Sequence, residues 1–99
     1  MQLYTIADIT PNGSAVTLAS KSAAGSPTEA TWLAFTATGT SIRVGDANVG
    51  ASRGLLLETG SPLILGVRGD SLQRPYDLTR ISVYGASGTD KVSVTFGVG

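Results

Sequence analysis

The chain alternates short apolar runs with clusters of Gly, Ser, Asp, Asn and Thr. The runs are strand-length, and no long stretch shows the spacing of an amphipathic helix. Residues 3–9 alternate and predict a strand. Pro11-Asn12-Gly13 follows, in which proline presets φ and Asn-Gly tolerates positive φ. Residues 14–18 predict a returning strand, so residues 1–19 are expected to form an N-terminal hairpin. Residues 20–30 are small, polar and aperiodic, with Gly25 and Pro27, and predict an exposed loop. Residues 31–99 then form the main sandwich.

Within that body, residues 31–38 place Leu33, Phe35 and Ala37 on one face and Trp32, Ala34 and Thr36 on the other. Apolar groups on both faces predict a central strand or one covered by a partner. Ile42 and Val44 are expected inward, with Arg43 outward. Residues 45–53 form a loop, Leu55-Leu56-Leu57 a short strand, Glu58-Thr59-Gly60-Ser61 a turn, and residues 62–67 the next strand. Residues 69–76 connect onward. Residues 81–84 and 92–96 are expected to pair with each other through a connection over residues 85–90, with Ile81, Val83, Val92, Val94 and Phe96 inward. The sum is an all-β, single-domain, jelly-roll-like β-sandwich of about eight short strands.

Composition narrows the function classes. The chain has 99 residues, enough for one domain. Its hydrophobic fraction of 41% leans on alanine, and large side chains are few. A small core without disulfides is commonly supported by association, so a homo-oligomer is expected. Net charge is zero and Lys21 and Lys91 are the only lysines, so no cationic footprint for nucleic acid is visible. No apolar run has the length of a membrane span, and the first residues lack the pattern of a signal peptide.

The chain contains neither histidine nor cysteine. A Ser-His-Asp or Cys-His apparatus cannot be assembled from it, nor can a thiolate or histidine metal site. A carboxylate pair needs only Asp and Glu, but every acidic residue falls in or beside a predicted loop, where solvated turn positions account for it. Asp46-Ala47-Asn48 begins like a calcium loop. It lacks the late bidentate acid, and Asp and Asn favour turns for their own hydrogen bonds. Arg68-Gly69-Asp70 and the sequon Asn12-Gly13-Ser14 are both explained as turns. No catalytic, cofactor or metal residue is assigned. Arginine outnumbers lysine, and its planar fork suits interface contacts.

The segment Ile42-Arg43-Val44-Gly45-Asp46-Ala47-Asn48-Val49, then Ala51-Ser52-Arg53-Gly54, carries a resemblance. So do the strand Trp32-Leu33-Ala34-Phe35 and the run Tyr76-Asp77-Leu78-Thr79-Arg80-Ile81-Ser82-Val83-Tyr84-Gly85-Ala86-Ser87-Gly88-Thr89-Asp90-Lys91-Val92-Ser93-Val94. Together they resemble small virion structural proteins of tailed bacteriophages, of the head decoration or cement type. The resemblance begins at Trp32 and implies a jelly roll, no enzymatic activity and a trimer or similar cluster. It also implies a place on the outer capsid surface, clamping neighbouring major capsid subunits. The residues before Trp32 match less well and are expected to adapt to a particular shell. Partner contacts are expected at Tyr4, Asn12, Trp32, Asp46, Asn48, Arg53, Arg68, Arg74, Tyr76 and Arg80. The alternatives are a carbohydrate-binding β-sandwich and a tail, fibre or connector component.

Overall fold

A computed structural model describes residues 2–39, 41–66 and 75–98. Its elements in order are β1 (Gln2–Ile9), β2 (Ala15–Thr17), a 3-10 turn (Leu18–Ser20), β3 (Glu29–Ala30), β4 (Trp32–Thr38) and β5 (Ile42–Gly45). Then follow β6 (Leu55–Leu57), β7 (Leu63–Gly66), β8 (Tyr76–Asp77), β9 (Ser82–Gly85) and β10 (Lys91–Val98). Eight strands form two four-stranded antiparallel sheets. The first, sheet A, has the order β1-β10-β4-β7, and the second, sheet B, the order β2-β9-β5-β6. β3 and β8 pair separately. The chain is all-β, and its sheets share one core in a single compact domain.

The pairing is nested. β5 pairs with β6, β4 with β7, β3 with β8, β2 with β9 and β1 with β10. The chain is therefore one long antiparallel ribbon folded at the β5–β6 connection. Two further pairings, β10 with β4 and β9 with β5, stitch this ribbon into sheets. The two-residue side-chain period sends one face of every strand into the core. Leu33, Phe35, Val92, Val94 and Phe96 fill it from sheet A, and Ile42, Val44, Leu57 and Val83 from sheet B. The inward positions expected in β4, β5, β9 and β10 are thus buried, save that Ile81 is only half-buried.

Two expected pairings are overturned. Residues 1–19 form no hairpin, because β1 belongs to sheet A and β2 to sheet B. Likewise β9 and β10 lie in different sheets. The turn chemistry at Asn12 (φ 51°) and Gly13 (φ 87°) is real, but the chain bends across the core there. The Gly13 N–H donates to the carbonyl of Gly85, in the other corner, at 2.7 Å. A turn fixes a bend and leaves the strand's partner open. β1 and β2 are consequently edge strands of the main sandwich, not an appendage to it.

The expected loop over residues 20–30 is also corrected at its end. Glu29–Ala30 is strand β3, and Ala30 is buried. Its pairing with β8 is non-local, and the Leu78 N–H donates to the Thr28 carbonyl at 2.8 Å beside it. In β1, strict alternation fails for a local reason. The register slips between Ile6 and Ile9, opposite Val94 and Val92, so one extra residue bulges out and both isoleucines turn inward.

Three corners converge on Asp90, which is buried. The Ser87 N–H donates to Asp90 Oδ2 at 3.1 Å, closing the β9–β10 corner. A Cβ on Gly85 would lie 2.9 Å from Asp90 Cβ, with Pro11 Cδ of the β1–β2 corner 3.5 Å away. Gly39, between β4 and β5, is packed against the same carboxylate. The Thr59 hydroxyl of the β6–β7 turn donates to the Gly39 carbonyl. All four of these connections therefore sit at one end of the sandwich. The β5–β6 connection and residues 78–81 sit at the other.

Candidate interaction surfaces

The far end collects part of the expected site. The Asn48 N–H donates to Asp46 Oδ1 at 2.9 Å, and the Val49 N–H to the Asp46 carbonyl at 3.1 Å. This is the local turn chemistry of an Asp followed by small residues. Val49 folds under the loop and is buried, with its Cγ2 2.7 Å from where a Gly54 Cβ would stand. Asp46 and Arg53 line one open groove of about 500 Å³ with Val44 and Leu55. Asp46 and Asn48 line another of about 340 Å³ with Thr79 and Arg80.

Arg80 projects into solvent and pairs with Asp77 at 3.7 Å. Asp77 Oδ1 also accepts the Thr79 hydroxyl at 2.6 Å and the Thr79 N–H at 2.9 Å. These two hydrogen bonds hold the Asp77 carboxyl below its ordinary range, with Arg80 adding a smaller pull the same way. Tyr76 is half-buried against the core. Arg68, Arg74 and the Arg68-Gly69-Asp70 tripeptide lie outside the described residues.

The remaining expected residues are dispersed. Tyr4 turns inward and stacks on Phe96, with ring centroids 5.3 Å apart. Asn12 sits at the Asp90 end, exposed on a positive-φ turn. Trp32 lies on the outward face of sheet A, half-exposed.

Part of that outward face is uncharged. Register places Leu3, Gly97, Trp32 and Gly66 in one row across sheet A. Thr5, Thr95, Ala34 and Ile64 form the next row. Neither row holds a charge. Leu3 is 56% and Ile64 53% exposed, while Gly97 is buried between Leu3 and Trp32. Large apolar side chains exposed on an uncharged patch characterise the centre of an interface.

The other exposed large apolar groups among the described residues are Leu55 at 57% and Leu56 at 52%, both on edge strand β6. Residue-by-residue reading did not single out Leu3, Leu55, Leu56 or Ile64 as surface. One signal was available for β6. Three consecutive leucines cannot all face one core when the strand period is two. Comparison with known proteins adds no relative: no family model, curated protein or solved structure matches this chain.

Proposed function

We propose that this protein is a non-enzymatic structural component of a tailed-bacteriophage virion, a decoration or cement protein on the outer surface of the capsid. Its fold is read as a jelly roll. That fold is an antiparallel ribbon wound into two packed sheets, and the nested pairing from β5–β6 outward to β1–β10 is the pairing such winding requires. Its partner is the major capsid protein, and its expected assembly is a homotrimer, both implied by the resemblance above.

The observation that carries the reading is the uncharged two-row patch on the outer face of sheet A, at the end of the sheet away from Lys91. Leu3, Trp32, Ala34 and Ile64 lie on a rigid sheet whose backbone is already satisfied on β10 and β4. Docking there removes apolar area from water without stripping water from a charge. Leu3 and Ile64 each expose roughly 100 Å² of side chain, so one copy binds modestly. Repetition around a shell, or linkage within a trimer, multiplies that modest contact. Clamping neighbouring subunits then opposes the outward push of packaged DNA.

The test is co-sedimentation of purified protein with emptied capsids of the phage that encodes it. Saturable binding at micromolar concentration is expected, with density on the outer surface by electron cryomicroscopy. Trp32 is the only tryptophan, so its emission should shift to the blue as its face is covered. Absence of binding across that concentration range refutes the reading.

A further inference from the structure

We infer that strand β6 pairs with β6 of a second copy about a two-fold axis through Leu56, joining two B sheets into one eight-stranded sheet. The inference stands on the edge itself and does not depend on the virion reading.

β6 is an edge whose three residues are all apolar and that no bulge interrupts, although it follows Gly54 at φ +111°. The other edges of the two four-stranded sheets are less suited to pairing. β1 carries a bulge, β7 ends in Gly66 at φ +89°, and β2 is only three residues long beside the corner at Pro11. β6 is short too, but its three residues are all leucine and two of them are exposed. An apolar, uncharged edge is a template for another strand.

A two-fold axis at Leu56, perpendicular to the sheet, sets every contact. Directly opposite residues in antiparallel strands point to the same face. Leu56 therefore meets Leu56 of the second copy on the outer face. On the inner face Leu55 meets Leu57 of the other copy. Because Val44 and Ile42 flank these residues in β5, the apolar inner row continues unbroken across the axis. This accounts for Leu55, an inward-facing residue that is 57% exposed in the single chain.

The flanks are complementary in charge. Glu58 of the second copy falls opposite Gly54 on the outer face, where no side chain occupies the space. Arg43 is already there: its Nη1 donates to the Gly54 carbonyl at 2.8 Å, leaving further guanidinium donors for a carboxylate. Neither Arg43 nor Glu58 has an ion-pair partner among the described residues. The axis makes this contact twice, once on each side of the central leucine pair. The surface used is distinct from the outer face of sheet A, so a two-fold contact here and a trimer contact there can coexist.

The buried area is small. Leu55, Leu56 and their flanks give roughly 400 Å² per copy, below the standard interface and in the weak, micromolar class. The chain has no cysteine, so Leu56→Cys installs a single reporter thiol. Opposite residues in antiparallel strands have Cα atoms about 4.5–5.5 Å apart, within disulfide range. Under mild oxidation Leu56→Cys is expected to form a covalent dimer at least tenfold faster than Leu3→Cys. Leu3 is equally exposed but lies on the far edge of the other sheet. In the Leu56→Cys background, Glu58→Arg should slow dimer formation about tenfold, and adding Arg43→Glu should restore it. Equal rates for the two cysteines, or no rescue by the double charge exchange, overturns the proposal.

Discussion

Replacing Gly39 by alanine tests whether the Asp90 corner governs the sandwich. Gly39 has φ +130°, a conformation that L side chains rarely adopt. An alanine Cβ would overlap Asp90 Oδ1 and lie 2.9 Å from Cγ and 3.1 Å from Cα of the same residue. Asp90 is only 3% exposed, and its carboxylate accepts the Ser87 N–H, so it cannot swing aside freely. The positive φ costs about 1–2 kcal/mol and the overlap about 1–3 kcal/mol. Weakening the Ser87 hydrogen bond adds about 1 kcal/mol. The expected loss is about 3–6 kcal/mol, a large share of the roughly 5–15 kcal/mol that holds a domain together. With a urea slope of about 1–1.5 kcal/mol/M, the midpoint should fall by about 2–6 M. Gly60→Ala is the control: φ is +83° with nothing within 4 Å of the added Cβ. That variant bears the backbone term alone, about 1 kcal/mol. Equal losses in the two variants would refute the corner argument. A double-mutant cycle sharpens the test. With Asp90→Ala in place, Gly39→Ala should cost at least about 1 kcal/mol less, and a coupling below about 0.5 kcal/mol counts equally against it.

Other perturbations probe the core and the exposed loop. Phe96→Ala removes a fully buried ring and should cost about 3–5 kcal/mol by urea unfolding, whereas Tyr4→Ala, half-buried on the same stack, should cost less. Trp32→Ala, on an outward face, should likewise cost less than Phe35→Ala, despite deleting the larger side chain. Asp77 should titrate below the ordinary carboxylate range in a carboxyl-carbon NMR experiment, and Thr79→Val should move it back up. Because its folded pKa is lowered, Asp77 contributes stability above its unfolded value of about 3.9, and that contribution is lost as pH falls through the folded value.

How much of this was legible depends on the range of the interaction involved. Leu33, Phe35, Ala37, Ile42 and Val44 were legible as core because the strand period is written in neighbouring residues. The bend at Asn12-Gly13 was legible because positive φ is a property of those residues. The partner of β1 was not. Nothing near Tyr4 states that Phe96, far along the chain, will stack on it. Of the expected contact residues, Asp46, Asn48, Arg53 and Arg80 gather at the far end because two connections meet there. Tyr4, Asn12 and Trp32 scatter to the core, the Asp90 end and the face of sheet A.

The sequence by itself determined an all-β chain, the inward face of most strands, the places where the chain bends, and the lack of imidazole and thiol chemistry. Each is a property of single residues or of a two-residue period. Tertiary structure alone decided which strands pair, which become edges, and which leucines are left in water. A strand's backbone can bond to any free edge, so its partner is chosen by how the whole ribbon closes over the core. Gly39, Gly85 and Asp90 look like ordinary turn residues in the sequence. Only that closure brings three corners onto one buried carboxylate and leaves β6 open at the side.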